Sequence, residues 1–494
     1  MLLTVSPVWP QSGSVDCRAS DPTTVNVPFH LRFLPNSCFL ASGGYSQDAG
    51  SFAAISAVAG NYLGLDETIT LGAQYGLRSR TVEVGFAKAL VPDNTVQAGF
   101  AFYGQRFRYD QGQEGSLLAY SRDVTETQFL APDDWLKYFS HRYGGESFVQ
   151  KVIPGSFSSF RLSYSYDVTG VRPLTPSTSD YFGAVHFLGT NGANRLTGIH
   201  TSKVTASFLR DTVDHPIGPT RGAMFSGSLG VAGLGGDVRM VEPAVEAKWF
   251  RPGLWRRHVI AIHARASVLS GFGGQGPPPF DRDYMGGEQE IRGFSSWALS
   301  PIAYVPGIST IPVLYSDGQR TSATMNIPVY RPVAIGGDTK ALANLEYRIP
   351  LGGPFTLALF TDAGMKQALF SSQLRFSSGV IDSLNAAFPY AQFSKRPQLQ
   401  PDAQPIKMST GLELQVLAPK IHAPVRFYWA YNVVACTDEI AMSGTKACNL
   451  LTSPVVAGTQ FPNYATYQSA QLLSATQIFR DPRSMLRIAI GFSF

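Results

Sequence analysis

The last ten residues, 485–494, alternate without a break. Leu486, Ile488, Ile490, Phe492 and Phe494 make one parity, and Met485, Arg487, Ala489, Gly491 and Ser493 make the other. Successive side chains of a β-strand point to opposite faces. Such a strand therefore has one face that is wholly apolar and bulky and one that is mostly small or polar. The same split recurs upstream. Val425, Phe427, Trp429 and Tyr431 oppose Arg426, Tyr428, Ala430 and Asn432, and Leu412, Leu414 and Val416 oppose Ser409, Gly411, Glu413 and Gln415. Ala343, Leu345, Tyr347 and Ile349 oppose Asn344, Glu346 and Arg348, and Ile260, Ile262, Ala264, Ala266 and Val268 oppose His263, Arg265 and Ser267. Val204, Ala206 and Phe208 oppose Lys203, Thr205 and Ser207. In 354–362 the contrast is weaker, because Phe360 stands with the small and polar set.

A soluble sandwich also alternates, with its apolar face on a core. Lipid outside and a wet lumen inside give the same pattern. Three features favour the barrel: aromatic residues gather near strand ends as interface girdles do, long and short connections alternate from the fifth strand onward, and the chain ends on an apolar residue within a strand. A charged content of only 15%, well below that of an average soluble domain, and 48 glycines suit a chain that meets lipid and turns often. No stretch approaches the length of an apolar spanning helix. A formal charge of +5 without a Lys/Arg block gives no reason to expect nucleic acid.

The turns predict sixteen strands, near 38–47, 50–63, 66–76, 79–91, 94–109, 145–154, 157–174, 199–214, 222–234, 238–250, 257–271, 338–350, 354–367, 407–418, 424–434 and 484–494. The fold class is thus an all-β, antiparallel transmembrane β-barrel. An even count puts both chain ends on the periplasmic side, so 110–144, 175–198, 272–337, 368–406 and 435–483 become long extracellular loops. Loops 110–144, 368–406 and 435–483 read as irregular.

The longest loop carries Phe280-Asp-Arg-Asp-Tyr-Met-Gly-Gly-Glu-Gln-Glu-Ile-Arg-Gly-Phe294. Gly286-Gly287 permits a sharp reversal. Arg292 stands between Ile291, Gly293 and Phe294, an odd setting for a charge in solvent. Two readings stay open: a solvated turn, or a loop folded back into the lumen with Arg292 on carboxylates.

This motif resembles the signature of the BamA-type insertase superfamily, the bacterial surface antigen family, in which a Gly-Gly pair precedes Val/Ile-Arg-Gly-Phe/Tyr in the sixth outer loop. The resemblance implies that the Arg pairs with a Glu on the twelfth strand and with the Asp of an Asp-x-Gly on the thirteenth. Those positions are Glu346 and Asp362, both of inward parity. Further similarities are Asn61-Tyr62-Leu63-Gly64, and Arg210-Asp211 with Pro219-Thr220-Arg221-Gly222. The terminal Phe494 resembles the terminal signal of outer-membrane barrels. The resemblance covers about 38–494, which is taken as the barrel domain. The family carries POTRA domains ahead of its barrel, and residues 1–37, too short for even one, are expected to be a periplasmic or disordered remnant. Their opening makes a poor secretory signal, broken by Pro7 and Pro10, so the chain reads as a fragment or as starting upstream.

The resemblance implies a bacterial outer-membrane protein that folds and inserts other β-barrel proteins, with lipid, unfolded clients and accessory lipoproteins as partners and no cofactor. Its physical centre would be a lateral seam between the first and last strands, where Gly43, Gly44 and Gly491 weaken pairing beside Phe494. For these glycines, packing is an equal reading. A client strand could add to an opened edge, which needs no bond chemistry, so no catalytic residue is assigned. Alternatives are a related two-partner secretion pore and a passive porin. A hydrolase finds no Gly-x-Ser-x-Gly or His-Glu-x-x-His. Of the four cysteines, Cys17, Cys38, Cys436 and Cys448, none forms a Cys-x-x-Cys, so no metal site is expected. Cys436 and Cys448 share one polar loop, as a disulfide or as two free thiols.

Overall fold

The apolar parity of the strands is the exposed one. Leu412, Phe427, Trp429 and Leu486 are 41–48% exposed, while Glu413, Arg426, Tyr428 and Arg487 on the opposite parity are buried. A sandwich would bury the first set and wet the second. Large apolar side chains left outward over most of the strands need lipid as their solvent, and this inversion decides for a transmembrane barrel.

The computed structural model describes residues 24–27, 37–46, 49–90, 95–110, 118–121, 136–187, 195–215, 218–255, 257–295, 299–399, 406–417, 424–434, 450–451, 456–473, 477–478 and 481–490. The barrel has sixteen staves: β1 (Ser37–Ser46), β2 (Gly50–Gly60), β3 (Glu67–Gly76), β4 (Ser79–Ala89), β5 (Val96–Asp110), β6 (Lys137–Ile153), β7 (Ser158–Pro173), β8 (Ile199–Asp211), β9 (Gly222–Gly236), β10 (Met240–Pro252), β11 (Val259–Val268), β12 (Thr339–Gly352), β13 (Phe355–Gln367), β14 (Lys407–Leu417), β15 (Pro424–Val434) and β16 (Ser484–Ile490). Each stave from β1 to β15 pairs antiparallel with the next. Among the described residues no helix is long and apolar enough to cross a membrane.

The periplasmic turns explain two of the sequence motifs. In 61–66, Asn61 and Asp66 take positive φ of 51° and 56°. Glu67 accepts hydrogen bonds from the backbone N–H groups of Leu63 and Leu65, at 2.6 and 3.0 Å. Before β9, Asp214 accepts from the backbone N–H groups of Thr220 and Arg221, at 2.9 and 3.1 Å, and from the Thr220 hydroxyl. Both carboxylates fix their turns locally, as Asx-type side chains do.

The outer side departs from expectation in several places. β6 begins at Lys137, not at 145, because the outward extension of β5 to Asp110 gives it a ladder partner there. The loops expected to be irregular hold regular structure: α2 (Ser378–Ala387) lies within 368–406, and α3 (Tyr464–Leu473) within 435–483. The seventh stave is followed by α1 (Pro176–Ala184), which starts on Pro176 after the capping hydroxyl of Thr175. A hairpin, Ile302–Leu314 with Arg320–Ala334, rises from the longest loop. Tyr109, Leu136, Tyr138, Tyr181, Phe280, Val305, Val333, Phe376 and Phe393 pack into one apolar cluster drawn from several loops and stave ends. That shared core ties the described parts of several outer loops to one another and to the stave ends. The second strand also stops at Gly60, short of 63, where the turn at Asn61 begins.

Candidate functional site

The longest loop turns back into the lumen. Gly286 and Gly287 have φ of 123° and 98°, and Met285 forms a small ladder with Leu299. The Gly287 N–H donates to the carbonyl of Phe294 at 3.1 Å, so Gly287–Phe294 is a closed tip. Its apolar residues, Met285, Ile291, Phe294 and Leu299, pack with Leu342 of β12. This is why Arg292 stands among apolar neighbours: they bury the tip while the guanidinium reaches the wall.

Arg292 is almost fully buried, and all three of its guanidinium nitrogens donate. Nε and Nη2 donate to the two oxygens of Asp362 on β13, at 2.8 and 2.7 Å, a bidentate fork. Nη1 donates to Glu346 Oε1 on β12 at 2.7 Å and to Glu413 Oε2 on β14 at 3.2 Å. The Arg292 backbone N–H also donates to Asp362 Oδ2, at 3.0 Å. The Phe360 ring lies 3.7 Å from the guanidinium carbon, which accounts for its inward place in an otherwise small and polar parity. Two more guanidiniums complete the set: Arg348 Nε donates to Glu346 at 2.8 Å, and Arg426 Nη1 to Glu413 at 3.4 Å. Three cations thus face three carboxylates. A buried network of this kind tolerates burial only when its charges balance and its lone pairs are used.

A second cluster holds the start of the tip. Lys340 of β12 bridges Asp283 at 3.1 Å and also Glu290, and Lys366 of β13 reaches Asp283 at 3.3 Å. Asn344 joins the two clusters, donating to the Glu290 carbonyl at 2.7 Å and to Asp362 at 2.8 Å. On the far side, Asn432 of β15 donates to the Gly293 carbonyl at 2.7 Å, and Arg487 of β16 to the Phe294 carbonyl at 3.2 Å. The tip is therefore tied to every stave from β12 to β16.

Two glycines make room for this contact. Gly293 has φ of 92°, and a Cβ there would meet Asn432 Oδ1 at 2.2 Å. A Cβ on Gly364 would meet Ile291 Cδ1 and Met285 Sδ at 2.8 Å, so the glycine of Asp362-Ala363-Gly364 is the seat of Ile291.

The seam is built differently. β1 and β16 pass within 8 Å of each other, yet the described residues contain no ladder between them. Each carries a short strand of the same chain instead. Thr24–Val27 pairs with Ala41–Gly44 of β1, placing Val25 opposite Gly43 and Thr24 opposite Gly44. Leu118–Ser121, from the loop after β5, pairs antiparallel with Met485–Ile488 of β16. Gly43 and Gly44 are thus paired on both sides, since they also face Ala53 and Phe52 of β2. Gly491, Phe494, Cys436 and Cys448 lie outside the described residues.

The structure brings Gly286, Gly287, Ile291, Arg292, Gly293 and Phe294 together with Glu346 and Asp362, and places Gly43 and Gly44 elsewhere, at the seam. Sequence reasoning missed Glu413, Lys340, Asp283, Glu290, Asn432 and Arg487. For the residues on staves a signal existed: Glu413, Asn432 and Arg487 all have inward parity. Which inward residues converge depends on where the loop lands. No group of His, Cys, Asp and Glu among the described residues is placed to hold a metal ion.

This geometry has relatives. The Omp85 superfamily domain matches residues 61–440. The outer membrane protein assembly factor BamA of Nitratidesulfovibrio vulgaris is 32% identical over 142 residues, 28% of this chain but only 15% of that protein. The crystal structure of BamA from Haemophilus ducreyi lacking POTRA domains 1–3 superposes with a TM-score of 0.58, covering 92% of this chain and 70% of that one at 15% identity. CdiB from Acinetobacter baumannii gives a TM-score of 0.44 over 92% of this chain and 60% of that one at 11% identity, too distant to bear on function. The superposed BamA structure agrees with the barrel fold, and the family match covers most of the chain. This chain belongs to the Omp85 superfamily and is a β-barrel of the bacterial outer membrane.

Proposed function

We propose that this chain folds β-barrel proteins and inserts them into the outer membrane at the seam between β1 and β16. The observation that carries the reading is the missing β1–β16 ladder among the described residues. A backbone edge left unpaired in hydrocarbon is costly, and a closed barrel would leave none. An edge that is not committed to its neighbour stave can accept another strand through main-chain hydrogen bonds. The client's residues need not be specified, because the ladder is made by N–H and C=O groups that every non-proline residue carries.

The reading takes 38–494 as the membrane domain and treats the Arg292 network as its brace: it ties β12–β16 to the tip and leaves partner exchange to the backbone-paired edges at the seam. No bond is made or broken, so no catalytic residue is assigned. Unfolded barrel proteins would be the clients, as the name of the assembly-factor relative suggests; accessory lipoproteins, implied by the family resemblance, would be further partners.

The test joins one cysteine in β1 to one in β16 with a bifunctional thiol crosslinker, in a background with the native cysteines changed to Ser. The expected result is that insertion of an unfolded barrel protein into proteoliposomes stops and returns when the link is cleaved. Undiminished insertion with the seam locked removes the reading. A large steady conductance in planar bilayers, in place of a small one, would turn it toward a porin.

A further inference from the structure

The strand on β16 comes from the chain's own third outer loop. Leu118–Ser121 runs antiparallel to Met485–Ile488, and its register sets the large residues Leu118 and Tyr120 opposite the lipid-facing Ile488 and Leu486. The small residues Ala119 and Ser121 stand opposite Arg487 and Met485. This four-residue piece thus repeats the alternation of the staves, in a loop whose job would otherwise need none. It takes the edge that a client strand would need. Its ladder covers four residues, whereas β15 pairs with β16 over seven positions.

We propose that Leu118–Ser121 is a built-in competitor for the edge of the last stave: an autoinhibitory strand that shields β16 when no client is present and is displaced by one. The inference rests on the seam reading above for its biological meaning, but not for its physical content, which is that the β16 edge accepts one extended segment at a time. A tethered segment has an effective concentration of about 1 mM. A free peptide at about 10 μM therefore starts roughly a hundredfold behind the loop. Short pairing is what lets the competitor lose to a longer client strand, which can follow β16 further.

The experiment uses the full chain in proteoliposomes with the native cysteines changed to Ser. Leu486→Cys is placed on the edge, and the probe is a synthetic peptide of residues 116–123 with a cysteine in place of Tyr120. The loop is disabled by Ala119→Pro together with Tyr120→Pro, since proline removes ladder donors. Disulfide capture of the peptide should rise by about tenfold or more over the intact loop, in keeping with the tethering advantage. In a separate chain, Tyr120→Cys with Leu486→Cys should crosslink without any peptide. Equal capture by intact and disabled loops, or no internal crosslink, overturns the proposal. Client insertion is read in parallel. If the disabled loop captures more peptide yet no chain inserts any client, the competitor stands and the insertase reading falls. If insertion proceeds but capture is equal, the reverse holds.

Discussion

The loop tip and the seam are both places where one part of the chain closes on another, but they are held by unlike forces. At the tip, Arg292 meets Asp362, Glu346 and Glu413 within a balanced set of three cations and three carboxylates, and each contact depends on the identity of a side chain. At the seam, the short strands on β1 and β16 are held by backbone pairing. The first kind of contact is specific and brittle, because a buried charge that loses its partner has nowhere to go. The second is generic and exchangeable, because any extended segment presents the same donors and acceptors. Placing them side by side on β12–β16 gives a stave that is rigid on its inner face and replaceable at its edge.

Arg292→Ala should produce the largest effect. It leaves Asp362 without its guanidinium and Glu346 and Glu413 with only Arg348 and Arg426, a loss of about 3–5 kcal/mol. The tip should become protease-sensitive within 286–294, and the folded band on unheated gels should weaken. Unchanged protease resistance and unchanged heat-modifiability would show that the tip does not need its charge.

Gly293→Val comes next. It forces a side chain into the space of Asn432 at positive φ, an overpacking of about 1–3 kcal/mol. The heat-modifiability midpoint should fall, with stave pairing kept. A wild-type midpoint would mean that β15 gives way easily, and the tip would then be less tightly seated than its contacts suggest.

Glu413→Gln is milder, since the amide still offers an acceptor while one charge-assisted bond to Arg292 weakens, a loss of about 1.5 kcal/mol. Its midpoint should lie between those of wild type and Arg292→Ala. A midpoint equal to wild type would make the third carboxylate a bystander.

The periplasmic turn at Asp214 gives a smaller and pH-dependent effect. Desolvation pulls its carboxyl upward, but hydrogen bonds from the Thr220 hydroxyl and from the backbone N–H groups of Thr220, Arg221 and His215 hold it well below the usual carboxylate range. A depressed folded-state pKa adds stability that is complete above the unfolded carboxylate value and is lost as pH falls through the folded one. Wild type should therefore lose a small increment on acidification that Asp214→Asn does not lose. Parallel acid profiles for the two would refute this.

Gly43→Val and Gly44→Val should change least, by less than about 1 kcal/mol, because their pairing on either side is made by backbone. A loss as large as that of Arg292→Ala would erase the distinction between tip and seam.

Much of this is legible in the sequence. The staves were legible because lipid on one side and a lumen on the other impose a period of two on every strand. β6 was read eight residues short: its outer part, 137–144, extends beyond the alternating region to pair with β5. The hairpin 302–334 escaped because Pro306, Pro312, Pro328 and Pro332 speak against a strand, and it is tolerated in a separate small sheet above the barrel. At the site, Arg292, Glu346 and Asp362 could be named from motif and parity. Glu413 shares that parity, but nothing along the chain distinguishes it from other inward polar residues.

The sequence by itself determined which face of each stave meets lipid and how many staves there are, and it left the loop with a lone arginine among apolar residues open between a solvated turn and a buried partner. The first two follow from local periodicity. Only the tertiary structure decided that the tip spans five staves, that a third carboxylate completes its charge balance, and that β16 carries a strand from a loop more than three hundred residues away. Those outcomes depend on which distant segments arrive together, and strand edges, being chemically alike, carry no mark of the partner they will take.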